Sequence, residues 1–97
     1  MTLEFNPDNH VLMRFAVVMD GKNIKKTHLH LASKLRWDSF QKYLDWLQSK
    51  GYITRSNIDG SDTYIATQQG REMFDRLSKF LECIKSEKYS TLNSRLD

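Results

Sequence analysis

Positively charged side chains are gathered in one part of this sequence, between residues 21 and 42. They are Lys22, Lys25, Lys26, Lys34, Arg36 and Lys42. Only one acid, Asp38, lies among these six cations, so the segment carries +5 in a chain whose formal net charge is +3. A positive field concentrated in one segment attracts a polyanion more strongly than a diffuse excess does. The cluster indicates a polyanionic partner, although a solvated face is an equally common use of such a segment.

The stretch KLRWDSFQKYLDWLQSKGYI, residues 34–53, combines aromatic rings with polar groups that can form hydrogen bonds. Its apolar residues Phe40 and Leu44 recur at helical spacing and predict an inner face. The outer face then carries Ser39, Gln41 and Lys42. Glutamine can bind adenine through two hydrogen bonds, serine can reach several base edges, and lysine can contact guanine or a phosphate. These residue types predict hydrogen bonding to a nucleic acid.

The histidines and the cysteine lack the spacing of a metal site or a catalytic site. His28 and His30 are two residues apart, so a helix would point them to different faces, and His10 is distant. Cys83 lies among apolar helix positions, which favours packing over nucleophilic chemistry. The sequence has no glycine-rich phosphate loop and no nucleophile elbow. We therefore expect no metal, no cofactor and no enzymatic activity.

The spacing of apolar residues predicts three helices in the first half of the chain. The first opens at Asn6-Pro7, because asparagine is a good N-cap and proline suits the first helical position, and it stops at Asp20-Gly21. The second covers about residues 25–33. The third follows a connector at 35–37, where Asp38 or its neighbour can cap it, and ends at Gly51.

A β-hairpin and a long helix are predicted in the second half. Residues 52–58 and 62–66 are β-prone and flank Asp59-Gly60, a strong hairpin signal. Thr67 then caps the last helix. This order predicts a fold that is mainly α with a small β-hairpin, namely a winged helix-turn-helix plus a long C-terminal helix. We expect a single domain at 6–88, with a dimerisation helix at 67–88 and a flexible tail at 89–97.

Two segments also carry a family resemblance, KKTHLHLASKLRWDSFQKYLDWLQSKGYI and YIATQQGREMF. They resemble the small archaeal winged-helix DNA-binding proteins that dimerise through a C-terminal coiled coil. The resemblance covers about residues 8–85, and KYLDWLQSKGYI is its most distinctive part. It implies duplex DNA as the partner.

In a helix-turn-helix, the second helix of the pair lies in the DNA major groove with its N-terminal residues nearest the bases. The start of the preceding helix favours a phosphate through its backbone N–H groups and dipole, and the resemblance implies the same use. The predicted β-hairpin forms the wing of such a fold. Its tip is acidic, with Asp59 and Asp62, and Arg55 is the one nearby cation. Of the two acids Asp38 and Asp45, we expect one to cap the helix and the other to pair with Lys42 or Arg71. The expected DNA contacts are Lys25, Lys26, Thr27, His28, Arg36, Ser39, Gln41, Lys42 and Arg55.

The last helix predicts a homodimer, because its apolar residues step by three and four in a heptad-like pattern. The expected dimerisation residues are Met73, Phe74, Leu77, Phe80, Leu81 and Ile84. An amphipathic helix folded back on the core of its own chain remains the alternative.

The sequence therefore predicts a homodimeric DNA-binding protein, a transcriptional regulator. A protein-interaction module of winged-helix type and a non-specific chromatin packer remain open. No apolar run approaches the roughly 20 residues of a membrane helix, so we expect no membrane partner. A single cysteine excludes an internal disulfide framework, which favours an intracellular, cytoplasmic location.

Overall fold

The computed structural model describes residues 5–96, and the side chains of residues 5–85. It confirms the predicted fold class. The elements are α1 (Asn9–Met19), β1 (Ile24–Lys25), α2 (Lys26–Ser33), α3 (Trp37–Ser49), β2 (Ile53–Ile58), β3 (Ser61–Ala66) and α4 (Gln68–Leu96). Within this described part of the chain, no helix combines the length and the apolarity needed to cross a membrane.

The sheet has three antiparallel strands in the order β1-β3-β2. The β2–β3 hairpin confirms the predicted turn, because Asp59 and Gly60 both have positive φ angles, 52° and 79°, as a two-residue hairpin loop with a right-handed twist requires. Strand β1 was not predicted. It contains two residues, of which Ile24 pairs with Tyr64, and two residues are too few to show an alternating pattern.

Helix α1 begins later than predicted, and its cap is Asp8 rather than Asn6. The Asp8 carboxylate accepts hydrogen bonds from the backbone N–H groups of His10 and Val11 at 2.7 and 3.3 Å. These are two of the N–H groups that an α-helix leaves without an internal partner. The Asp8 N–H donates to the hydroxyl of Tyr43 at 2.9 Å, so the same residue ties the start of α1 to α3.

The core lies between α1, α2, α3 and the inner face of the sheet. Phe15 of α1 stacks on Phe40 and Tyr43 of α3, with ring centroids 6.0 and 5.9 Å apart. Leu29 brings α2 into the same cluster, and it has no exposed surface. This packing fixes α3 by its apolar side and leaves the opposite side to solvent.

Helix α4 starts at the cap predicted for it. The Thr67 hydroxyl accepts a hydrogen bond from the Gly70 N–H at 3.0 Å and donates to the Gly51 carbonyl at 2.6 Å. The cap therefore also ties α4 to the end of α3. The flexible tail expected at 89–97 lies outside the residues whose side chains are described, and it stays a prediction, as do the domain limits.

Candidate nucleic-acid interface

The turn between α2 and α3 is fixed by a buried serine. The Ser33 hydroxyl donates to the His30 carbonyl at 2.7 Å and accepts from the Leu35 N–H at 3.2 Å. Arg14 of α1 donates to the Ser33 carbonyl at 2.8 Å, which satisfies a group at the C-terminal end of α2. Lys34 completes the turn in the left-handed region, with φ 59°. These bonds set the angle at which α3 leaves α2.

A cluster of rings joins the start of α3 to α2. The His30 ring lies 5.0 Å from the Trp37 ring in a T-shaped arrangement and 4.8 Å from the Phe40 ring. His30 Nε2 is 2.8 Å from the Leu35 carbonyl, which can only accept, so Nε2 carries a proton. Sequence reasoning considered His30 only as a metal ligand and missed this positioning role. Its spacing of four residues from Lys26 on one helix face was the available signal.

Lys26 and Trp37 bring the starts of α2 and α3 into contact, and the side chains predicted to bind phosphate around them are mostly exposed. Lys25, His28 and Arg36 are exposed, and so is Thr27. Lys26 is half-buried, because its Nζ lies 5.0 Å from the centroid of the Trp37 ring. Among the described side chains, the ion pairs are His10–Asp8 and Lys79–Asp75, so none of these predicted phosphate contacts is neutralised by a carboxylate.

The outer face of α3 carries the three residues predicted to read bases. Lys42 is exposed, whereas Ser39 and Gln41 are half-buried. Gln41 Nε2 donates to Asp45 Oδ1 at 3.1 Å. The partner of Asp45 is therefore Gln41, not Lys42 or Arg71 as expected, because residues four apart on a helix face each other.

The other acid on this face, Asp38, lies in the first turn of α3. Its Oδ1 accepts from the Ser39 N–H at 3.0 Å. The residue at the N-cap position is Arg36, which forms no side-chain cap hydrogen bond. Asp38 thus supplies a negative charge near the positive end of the helix dipole, which is favourable, although it does not occupy the cap.

Arg55 extends from the strand of the wing rather than from its tip. Arg55 is paired with Tyr64 across the hairpin, so both side chains lie on one face of the sheet. Burial raises the pKa of Tyr64 above 10.0, while the charge of Arg55 and its hydrogen bond to the hydroxyl lower it. Asp62 and Asp45 also act on this hydroxyl, and both raise the pKa. Arg55 is therefore exposed but already interacts with Tyr64 of its own hairpin.

The predicted dimerisation residues divide into two groups. Phe74 lies inside the core of its own chain and is 7% exposed, so it is not available to a second chain. Met73 and Leu77 are half-buried against the same core. The available apolar residues are on the outer half of α4, where Phe80 is 53% and Ile84 is 44% exposed and Leu81 is half-buried. These three, with Met13 of α1, line an open groove between α4 and the start of α1.

Nothing in the described side chains suggests metal chemistry. No group of three or more His, Cys, Asp or Glu residues among them is arranged to hold a metal ion. The side chain of Cys83 is exposed on α4.

A family model described as winged helix-turn-helix matches residues 13–85, which is more than half of the chain. The chain belongs to the winged helix-turn-helix family. An uncharacterized protein of Methanocaldococcus jannaschii is 28% identical to this winged helix-turn-helix protein over 71 residues, which are 73% of this chain and 68% of that protein.

Solved structures share the fold of this winged helix-turn-helix protein. Sso10a-2, a DNA-binding protein from Sulfolobus solfataricus, is similar with a TM-score of 0.72 and 18% identity over 91% of this chain and 92% of that one. BldR, a transcriptional regulator from the same organism, gives a TM-score of 0.74 and 14% identity over 84% and 60% of the two chains. CouR, a transcriptional repressor bound to a 23-mer DNA duplex, gives a TM-score of 0.61 and 18% identity over 87% of this chain and 68% of that one.

Proposed function

We propose that this protein binds duplex DNA as a homodimer and regulates transcription, with α3 in the major groove. One observation carries the proposal. The starts of α2 and α3 are in contact through Lys26 and Trp37, and the exposed cations beside them have no carboxylate partner among the described side chains. Backbone N–H groups at a helix start favour phosphate, and unpaired cations release counterions when they contact one. Two helix starts side by side therefore suit the sugar-phosphate backbone at the edge of a groove.

The polar face of α3 supports base contacts next to that backbone contact. Ser39, Gln41 and Lys42 are in the first two turns of α3, where a recognition helix approaches base edges. The buried face of the same helix is held by Phe40 and Leu44, neither of which has exposed surface. The polar side chains are thus presented from a fixed element, which favours specific readout over loose electrostatic attachment.

The acidic wing supports a binding mode in which α2 and α3 make most of the DNA contacts. Asp59 and Asp62 lie at or beside the tip, and Asn57 Nδ2 donates to Asp62 Oδ1 at 3.3 Å. Carboxylates at the tip would be repelled by phosphates. We propose that the tip stands off the DNA and that Arg55, further along β2, supplies the contact from this element.

Proteins with a similar fold support this proposal. Sso10a-2 is described as DNA-binding, BldR as a transcriptional regulator and CouR as a repressor bound to a DNA duplex. A dimer would give two linked α3 helices, and linked sites bind with an avidity that a single site lacks. Half-sites would then be spaced by about one helical turn, ~34 Å, or a multiple of it.

The salt dependence of binding tests the proposal. Affinity for a labelled duplex is measured by anisotropy from low to physiological salt, with random DNA and with the region upstream of the protein's own gene. The triple variant Lys25→Ala, Lys26→Ala, Arg36→Ala should lower the slope of log affinity against log salt by about 2.7 per chain, since each lost phosphate contact removes ~0.9.

The matched control removes the same charge from α4 instead, at Arg71, Arg76 and Lys79, which are exposed. Its slope should stay near that of the wild type, because direct phosphate contacts dominate the slope. Equal slopes for the two triple variants would contradict the interface. Equal affinity for random and upstream DNA would favour a non-specific packer, and salt-insensitive or absent binding would favour a protein-interaction module.

A further inference from the structure

Trp37 combines large exposure with a ring that packs on three neighbours. The side chain is 51% exposed, yet the ring touches His30 at 5.0 Å and Phe40 at 5.5 Å between centroids. The ammonium of Lys26 covers it at 5.0 Å. A tryptophan that only filled the core would expose less of its surface, and a tryptophan that only faced solvent would not pack on three neighbours. The ring is therefore positioned and still accessible.

The place of Trp37 indicates the kind of partner. It is the first residue of α3, and Lys26 above it is the first residue of α2, so the pair joins the two helix starts. Lys25 and Arg36 flank the pair and are exposed. An exposed apolar ring framed by cations is complementary to a surface on which apolar and anionic groups alternate. A DNA strand has this alternation, with a deoxyribose beside each phosphate.

We propose that Trp37 contacts DNA directly, with its exposed edge packed on the deoxyribose next to the phosphate that Lys26 binds. This inference rests on the proposed function and adds a binding residue to it. The rigid ring loses little side-chain entropy on binding, so its contact area converts efficiently into affinity. A sugar carries no base identity, so the contact strengthens binding to every sequence equally.

Trp46, the second tryptophan, is the natural internal comparison. It is half-buried on the same helix and packs on Phe5 at 6.2 Å and on Tyr52 at 5.8 Å between centroids. Its neighbours come from the start of the chain and from the residue before β2, away from the paired helix starts. DNA bound as proposed leaves Trp46 untouched.

Quenching of tryptophan fluorescence by acrylamide, a neutral quencher, tests the contact. In Trp46→Phe the emission reports Trp37 alone, and in Trp37→Phe it reports Trp46 alone. A labelled duplex in the same samples reports binding by anisotropy. We expect saturating DNA to protect Trp37 from the quencher and to leave the quenching of Trp46 unchanged.

Affinity measurements separate the apolar contact from the charge contact. Trp37→Ala should weaken binding by roughly tenfold on random and preferred duplexes alike, with an unchanged salt slope. Lys26→Ala should instead lower the slope by ~0.9. Thermal melting followed by circular dichroism checks that each variant is folded.

The two proposals fail differently. If the duplex binds with the expected salt dependence but Trp37 stays open to acrylamide, the Trp37 contact is wrong and DNA binding stands. A Trp37→Ala slope reduced like that of Lys26→Ala would also overturn it, because the ring would then only position the ammonium. If no duplex binds at low salt, both proposals fall, and the ring serves another class of partner.

Discussion

Gly70 of α4 lies directly against the backbone carbonyl of Tyr52. A Cβ added at position 70 would overlap the carbonyl oxygen and stand 2.7 Å from the carbonyl carbon. The same oxygen accepts a hydrogen bond from the Thr67 N–H at 3.0 Å. The first turn of α4 is therefore pressed onto the chain that links α3 to β2, at a distance that only glycine permits.

Gly70→Ala should destabilise the fold by roughly 3 kcal/mol, because neither the helix nor the carbonyl can move without breaking the Thr67 cap. Urea unfolding followed by circular dichroism measures the change. Gly21→Ala is the control, since that position has open space around it and only the strain of φ 67°, about 1 kcal/mol. Equal losses in the two variants would show that the contact with Tyr52 can relax.

Asp45 should lower the affinity of the protein for DNA. Its carboxylate accepts a hydrogen bond from Gln41 Nε2 at 3.1 Å and adds negative charge to the face proposed to meet DNA. Asp45→Ala should strengthen binding to any duplex by roughly threefold at low salt, the size of a modest surface charge effect. Anisotropy titrations measure this, with Asp75→Ala on α4 as a control of equal charge. Weaker binding by Asp45→Ala would mean that Gln41 needs its partner in order to be aimed at a base.

The outer half of α4 should carry the dimer contact. Phe80→Glu with Ile84→Glu places two charges in the exposed apolar surface, and burying them without partners costs several kcal/mol. Sedimentation at tens of micromolar, roughly the range that populates a dimer of micromolar Kd, should show a folded monomer. Val17→Glu is the control, because Val17 is 72% exposed on α1. A wild-type protein that already sediments as a monomer would remove the dimer from the proposal.

Tyr64 should make the protein less stable at alkaline pH. Its pKa is raised in the folded protein, chiefly by burial, so the folded state favours the neutral phenol. That contribution is complete below the unfolded pKa of about 10 and is lost as the pH rises through the higher folded value. Urea unfolding between about pH 8 and pH 11 should show a smaller loss for Tyr64→Phe than for the wild type.

Local signals were enough to predict most of the fold. The Asp59-Gly60 turn and the Thr67 cap depend on backbone geometry that neighbouring residues determine, and both are confirmed. The start of α1 was missed because Asn6, Pro7 and Asp8 all favour helix starts, and the choice between them depends on Tyr43, 35 residues from Asp8. Strand β1 was missed for a similar reason, since its partner Tyr64 lies in the distant hairpin.

The candidate interface was predictable by residue type and less so by contact. The exposed position of Lys42 follows from helical periodicity, because Phe40 and Leu44 face inward, whereas Lys25 and Arg36 stand just before their helices. The pairing of Gln41 with Asp45 was within reach of the four-residue rule but competed with Lys42 and Arg71 as partners. The covering of Trp37 by Lys26 depends on the angle between two helices, which Ser33 and its hydrogen bonds determine. No periodicity encodes that angle.

Strand β1 means that a peptide cut down to the helix-turn-helix would lose the partners of its first strand. Its residues lead directly into α2, and their hydrogen-bonding partners in β3 are about forty positions later in the chain. A ribosome must therefore finish the hairpin before the first half of the protein can close its sheet. Tyr64 and Phe74 complete the buried core, and both are translated after α3. The surface proposed to meet DNA is assembled last, although most of its residues are translated first.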